Sequence, residues 1–341
     1  MDSELIEQML LSLKETIEDD GSSMDLEGEN LKVPINKEFF YPIEEKITEH
    51  KVCFIDGGNL EILRAPNFSI QMIRLYYTIY KDNKRVKAKR REFFVLLKCK
   101  IEEERLHYEV ESFGDSVIGK LSFFAYSSEL RNGMSRAEIS QFGGLVRRLC
   151  EIRVIEECLD ELSSGDFIVL DGDLQEKTRM EHDFFNKIKY ICNDRGITVC
   201  GLAKTSNLLS DTGNSFVSVI SKEAPLGEWF YFPIVTQRAL EKETIFTKLH
   251  AKSHYVFKFE IRKESSDKVN EILWLLKKNS IDPVFLGYPY GLVEADRFAR
   301  VTNEELDYLK TRFMSKAGKW YKELVPYLNA LNSHEILDNI R

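Results

Sequence analysis

The sequence predicts an α/β protein with a mixed central sheet flanked by helices and with helical additions at both ends. Three observations predict it. Strand-like segments crowd the first third of the chain, and strands alternate with helices after about residue 135. Two apolar runs, Val52-Cys53-Phe54-Ile55 and Phe167-Ile168-Val169-Leu170, each end in Asp-Gly. A long segment with apolar residues at three- and four-residue steps lies just before the second run.

Met1–Lys14 carries Leu5, Ile6, Met9, Leu10, Leu11 and Leu13 among acids and reads as a short amphipathic helix; it lacks the basic start of a signal peptide. Ile17–Asn30 is acidic and holds Gly21, Ser22, Ser23 and Gly28, the composition of a mobile linker. Lys51–Ile55 reads as a buried strand stopping at a tight turn on Asp56-Gly57-Gly58, with Asn59–Arg64 as the returning strand. Ser69–Tyr80 is β-branched and aromatic and makes a third strand; Glu92–Lys98 and Leu106–Phe113 make a hairpin joined by Glu102-Glu103-Glu104. Ser135–Leu162 is the longest helical stretch, with Leu145, Leu149, Ile152, Ile155, Leu159 and Leu162 on one face and Ser163-Ser164-Gly165 as its stop. Phe167–Leu170 suits a central strand covered on both faces. Helix Arg179–Arg195, strands Ile197–Leu202, Trp229–Val235 and Tyr255–Ile261, and helices Asp267–Lys278, Gly291–Arg300 and Asn303–Met314 complete the pattern. The expected organisation is an acidic helix and linker over 1–30, a core over 45–310 and a helical extension over 311–341.

At 341 residues the chain can bury a large core, and no apolar run approaches the roughly 18–20 residues needed to span a membrane. An intracellular, cytoplasmic or nucleoid-associated protein is expected. The six cysteines include no Cys-x-x-Cys pair and the histidines no His-Glu-x-x-His, which argues against zinc and for buried reduced thiols. A net charge of −8 speaks against phosphate binding until its distribution is considered. Residues 1–30 hold ten acids and one base, so the remaining chain is at +1 and has room for a local basic patch. Lys81–Arg91 is that patch, with seven bases in eleven residues. Placed between two strands, it reads as a hairpin tip or loop whose Lys84, Arg85, Lys87, Lys89, Arg90 and Arg91 contact phosphates. Trp229, Phe230, Tyr231 and Phe232 read either as core or as a stacking platform for bases. The apolar face of the N-terminal helix is expected to dock on a partner or a second subunit.

Asp56 and Asp171 each end an apolar strand and precede a glycine that lets the backbone turn without covering the carboxylate. Glu151 stands beside the apolar stripe of the long helix, next to Arg147 and Arg148. Strand Asp, helix Glu, strand-end Asp is the order found in ribonuclease-H-like nucleases. Hard carboxylate oxygens suit Mg²⁺ or Mn²⁺. The expected chemistry is two-ion hydrolysis, with ions about 3.5–4 Å apart clamping the attacking water and the leaving 3′ oxygen. Lys204, after the Ile197–Ala203 segment, is placed to offset charge on the phosphate.

These stretches resemble a known family, the NurA nucleases. They are Phe54–Gly58, Arg148–Ile152, Phe167–Leu174, Gly201–Ser206 and, most specific, Gly287–Asp296 (Gly-Tyr-Pro-Tyr-Gly-Leu-Val-Glu-Ala-Asp), in order and spacing across about residues 45–310. Where the family often has Asp-Gly-Ser, this chain has Asp56-Gly57-Gly58 and Asp171-Gly172-Asp173, which leaves the carboxylates in place. The resemblance implies a ribonuclease-H-like core and a manganese-dependent DNA nuclease. Its implied activities are 5′–3′ exonuclease on single- and double-stranded DNA and single-strand endonuclease. It implies a homodimer working with a HerA-type hexameric translocase in DNA double-strand-break end resection. It maps the family's metal carboxylates to Asp56, Glu151 and Asp171, a late acidic position to Asp296 and a nearby tyrosine to Tyr288. Two other readings stay open: a non-catalytic partner subunit that kept the fold, and an RNA-cleaving or structure-selective nuclease.

Overall fold

The structure, a computed structural model, describes residues 3–18, 23–26, 31–131, 133–232 and 241–338. The chain opens with helix α1 (Ser3–Glu18) and strands β1 (Ser23–Leu26), β2 (Leu31–Pro34) and β3 (Phe40–Pro42). Five strands follow: β4 (Val52–Ala65), β5 (Phe68–Lys81), β6 (Lys84–Glu102), β7 (Arg105–Gly114) and β8 (Leu121–Phe124). Then come α2 (Phe142–Cys158), β9 (Phe167–Asp171), α3 (Arg179–Asp194), β10 (Thr198–Ala203), β11 (Leu209–Ser210) and α4 (Phe216–Glu223). The last part holds β12 (Trp229–Tyr231), β13 (Lys242–Lys248), β14 (Phe257–Arg262), α5 (Val269–Asn279), α6 (Tyr290–Ala299), α7 (Asn303–Ala317) and α8 (Tyr321–Asp338). Among the described residues no helix is long and apolar enough to cross a membrane.

These elements form two compact units. One comprises His50–Ile168, Gln175–Ile197 and Gly291–Arg341. Its strands run in the order β4-β5-β6-β7-β8 as an antiparallel meander, and the start of β9 lies beside β4, where Phe167 N–H donates to the Lys51 carbonyl at 3.0 Å. Two tight turns make the long hairpins. Asp82-Asn83 and Glu103-Glu104 all have φ between 48° and 61°, the left-handed pair of a two-residue hairpin. The basic segment Lys81–Arg91 thus contains a hairpin tip at Asp82-Asn83, as one of its two readings expects, while Lys84–Arg91 is strand rather than loop.

The first Asp-Gly is corrected as well. β4 continues through Asp56-Gly57-Gly58 to Ala65, and β5 is the strand that returns. Glycine serves there to admit neighbours at close range. A Cβ on Gly58 would stand 2.2 Å from the Ala299 carbonyl oxygen, and one on Gly291 2.0 Å from the Phe54 ring. Phe54, Asp56 and Gly58 share one face of β4, so α6 lies on that face with Gly291, Ala295 and Ala299 turned towards the sheet. Eight helical residues rise about 12 Å and four strand residues about 13 Å, so the helix keeps step with the strand. On the opposite face, α2 buries Leu149, Ile152 and Ile155 as its periodicity requires. The helix is shorter than Ser135–Leu162, with 3-10 turns before and after it. Leu324 and Leu328 of α8 pack on Ile62, Leu63 and Met72.

The other unit comprises Met1–Glu49, Val169–Leu174 and Thr198–Tyr290. Its strands run β3-β12-β13-β14-β10, with the end of β9 beside β10. Phe216, Ile220, Trp229, Tyr231 and Phe246 form its core, so the tryptophan and tyrosine of the aromatic run are buried packing residues; Phe230 is buried too, which corrects the stacking-platform reading. A small sheet, β11-β1-β2, includes Ser23–Leu26, so the segment expected to be linker contains a strand. Residues 19–22 and 27–30 of that segment, and 233–235 of the strand expected at Trp229–Val235, lie outside the described residues. The six cysteines are free, and all but Cys99 are buried.

Two predictions follow from how α6 and α7 are held. Gly58→Ala should destabilise the protein by about 1–3 kcal/mol, the usual cost of overpacking; an unchanged chemical-denaturation midpoint would remove the close seating of α6 on β4. Arg74, with its side chain 4% exposed, pairs bidentately with Glu305 at 2.8 and 3.1 Å. Those bonds hold the Glu305 carboxyl at about 2, below the ordinary value of about 4.3. The pair's contribution is thus complete above the ordinary value and lost as pH falls towards 2. The stability gap between the wild type and Glu305→Gln should be constant at neutral pH and shrink across that window; a gap independent of pH would refute the linkage.

Candidate metal centre

In the β4 unit, Asp56 projects from mid-strand and is 9% exposed, with Gly57 N–H donating to its Oδ1 at 2.7 Å. It stands opposite Tyr76 in the β4–β5 register, so the two side chains share a face. Asp296 lies one residue beyond Ala295 on α6, about 100° round the helix from the stripe that meets the sheet. Arg300 Nη2 donates to its Oδ2 at 2.6 Å, one turn on.

In the other unit, β9 delivers Asp171 and then turns at Gly172, whose φ of 111° is a conformation L side chains rarely adopt. The second Asp-Gly thus behaves as the sequence suggests. Lys204 Nζ donates to Asp171 Oδ2 at 2.7 Å, and the Tyr288 hydroxyl donates to Oδ1 at 3.1 Å. Tyr288 is fully buried, with Phe257 and Phe285 at 5.0 Å between ring centroids. A buried ring with one hydroxyl contact leaves Asp171 little rotational choice. The turn is also anchored, because Leu174 N–H donates to buried Glu260 at 2.7 Å and Lys258 bridges Asp173 and Glu260 at 2.9 and 3.2 Å.

Asp56 and Asp296, both in the β4 unit, each offer a carboxylate oxygen, and these oxygens lie within 4.8 Å of each other; Asp171 offers its own in the other unit. At an effective dielectric near 20, two charges at that spacing repel by about 3–4 kcal/mol. Arg300 offsets part of this in the structure, and a divalent cation is suited to offset the rest. Hard carboxylate oxygens with no cysteine or histidine fit Mg²⁺ or Mn²⁺.

The fold has known counterparts. The chain is similar to the NurA nuclease from Sulfolobus solfataricus, with a TM-score of 0.52 and 15% identity over 93% of this chain and 95% of that one. A weaker likeness, TM-score 0.40 and 9% identity over 92% and 99% of the two chains, is to the catalytic domain of human Endonuclease V. No family model and no curated protein sequence matches. The fold is ribonuclease-H-like. The mixed sheet with flanking helices predicted from the sequence is therefore what the chain adopts.

Within this ribonuclease-H-like fold, Glu151 stands apart from Asp56. It is 2% exposed, and its carboxylate accepts from Arg147 and, at 3.2 Å, from Arg148. Its Oε1 would lie 2.8 Å from a Cβ on Gly57, on the face of β4 opposite Asp56. Arg147 also donates to the Gly57 carbonyl at 3.1 Å. The basic strand is largely engaged by the protein's own acids. Lys87 pairs with Glu161, Lys89 and Arg91 with Glu157, Arg91 also with Asp115, and Arg90 with Glu92. Lys84, at the strand's start beside the tight turn, is exposed.

One buried group escaped the sequence reading. Glu294 on α6, 3% exposed at its side chain, accepts from the hydroxyls of Tyr76 at 2.7 Å and Tyr80 at 2.6 Å and from Arg85 at 2.7 Å. Burial alone would raise its pKa, but the bonds from Tyr80, Arg85 and Tyr76 hold its carboxyl below the ordinary value. Burial, then the Glu294 carboxylate, pushes the Tyr76 hydroxyl upward, so it stays a donor. The available signal was the alternation Tyr76-x-Thr78-x-Tyr80, which puts three hydroxyls on one face of a strand.

Replacing Arg147 with methionine should cost about 1–3 kcal/mol, because it removes one of two arginines from a buried carboxylate. Urea denaturation reads this directly, and a variant as stable as the wild type would show that Arg148 alone satisfies Glu151.

Proposed function

We propose that this chain is a divalent-metal-dependent DNA nuclease whose metal is held by Asp56, Asp171 and Asp296. The observation that carries the proposal is the approach of the Asp56 and Asp296 carboxylate oxygens within 4.8 Å, on a fold shared with a nuclease. A bound Mg²⁺ or Mn²⁺ supplies Lewis-acid polarisation of a phosphate oxygen and lowers the pKa of a bound water. The chain's own residues supply the rest. Tyr288 fixes the rotamer of Asp171. Lys204, 35% exposed at its side chain, carries a positive charge at the rim, where phosphate oxygens gain negative charge during displacement. Arg300 balances Asp296 until a cation takes up its charge.

The sequence resemblance to NurA nucleases supports a finer reading. In it the nuclease degrades DNA 5′–3′, cuts single strands internally, and acts as a homodimer with a HerA-type translocase at double-strand breaks. Glu151, on the opposite face of β4, enters this reading as a buried support rather than a ligand, and exposed Lys84 as a phosphate contact.

The test is cleavage of 5′- and 3′-labelled single- and double-stranded DNA and of RNA with Mn²⁺, Mg²⁺ or EDTA. Mn²⁺-dependent DNA cleavage is expected, and Asp56→Asn and Asp171→Asn should each reduce it to the EDTA level with unchanged circular dichroism. Full activity in either variant would sink the site, and cleavage of RNA alone would overturn the substrate.

A further inference from the structure

We propose that Glu294 is a positioning residue of the metal centre: clamped by Tyr76, Tyr80 and Arg85, it sets the rotation of α6 and so aims Asp296 at Asp56. The inference rests on the metal-centre reading above and assigns the residue that sets its geometry.

The sheet-facing stripe of α6 is Gly291, Ala295 and Ala299. Small residues permit close approach but interlock poorly, so the rotation of this ten-residue helix is left to the larger buried side chains beside the stripe, Leu292 and Glu294. Glu294 and Asp296 flank Ala295 on either side, each about 100° away. The Glu294 side is fixed on β5 and β6. Oε1 accepts from Tyr76 and Arg85, and Oε2 accepts from Tyr80 at 2.6 Å and Thr78 at 3.5 Å. Both oxygens are thus committed to the sheet. Asp296 lies on the other side of the stripe, with a carboxylate oxygen within 4.8 Å of one of Asp56 on β4.

Leverage makes the clamp matter. At the outer radius of a helix, about 5–6 Å, a roll of about 20° moves a carboxylate by about 2 Å. Metal–ligand distances tolerate deviations of about 0.2 Å. An apolar residue at 294 would fill the space with less desolvation, since a buried ion pair adds little net stability over a well-packed hydrophobe. What a buried carboxylate with three strong donors adds is direction. Phe298, stacked on Tyr76 at 5.1 Å, supports the same orientation one turn on.

The experiment is calorimetric titration of the full chain with Mn²⁺ alone, without DNA. Glu294→Gln and Tyr80→Phe should each weaken Mn²⁺ binding about 10–100-fold, the range for residues that orient metal ligands. In an Asp296→Ala background neither should weaken it further, because their effect runs through Asp296. Wild-type Mn²⁺ affinity in both single variants, or full additivity with Asp296→Ala, overturns the assignment. Should Glu294→Gln not fold, Tyr80→Phe carries the test, since it removes one hydroxyl and keeps the ring. Mn²⁺ binding that survives both Asp56→Asn and Asp171→Asn would instead overturn the metal centre, and this assignment with it.

Discussion

The close approach of α6 to β4 is the constraint on which the rest of the site depends. A helix usually packs on a sheet through large side chains, and here it meets the strand through positions without them. Gly58 gives way to the Ala299 carbonyl, and Gly291 gives way to the Phe54 ring. Asp56 lies between Phe54 and Gly58 on the same face, and Asp296 lies between Gly291 and Ala299. The two carboxylates are brought together because the residues around them are small. A larger residue at either glycine would lift the helix and part the aspartates, so the cost would fall on chemistry as well as on stability.

Closeness of like charges has to be balanced, and the chain balances it locally. Lys204 sits on Asp171 and Arg300 on Asp296, and the two cations differ in exposure, 35% and 67% at the side chain. Both lie far enough in solvent to move away when another cation arrives. The supports behind the aspartates are buried by contrast: Tyr288, Glu260 and Glu294 are at most 4% exposed. A site arranged this way keeps its ligands rigid and its counter-ions exchangeable, as reversible binding of a hard cation requires.

Much of this was legible in the sequence. The order of strands and helices follows from periodicity, and Phe167–Leu170 announces a buried strand ending at a glycine turn, which Gly172 makes with φ 111°. The same reading failed at Asp56-Gly57-Gly58, because a glycine needed for close approach and a glycine needed for a turn look alike along one strand. Only the helix arriving some 240 residues later distinguishes them. The basic segment misled for a related reason: a high density of charge suggests a loop, whereas alternate residues of a strand can carry it on both faces. Glu294 was invisible because its partners lie more than 200 residues away, and a lone glutamate on a short helix ordinarily faces solvent.

The alternation on β6 also bears on how nucleic acid would be held. Lys87, Lys89 and Arg91 face the side of α2, where Glu157 and Glu161 already engage them. Arg90 stands opposite Tyr76, which stands opposite Asp56, so it lies on the face of Asp56. Arg85, across from Tyr80, is taken up by buried Glu294. The seven bases therefore do not act as one patch. Exposed pairs such as Lys87–Glu161 are worth about 0–1 kcal/mol and can be exchanged for phosphate at little cost. Arg85 is different, because withdrawing it would leave a buried carboxylate without the cation paired to it, which costs more than a surface phosphate contact returns. By this reasoning the strand divides its charge between structure and recognition. Lys84, across from Lys81, lies on the α2 side with Lys87, Lys89 and Arg91, Arg90 lies on the side of Asp56, and Arg85 belongs to the scaffold that holds α6.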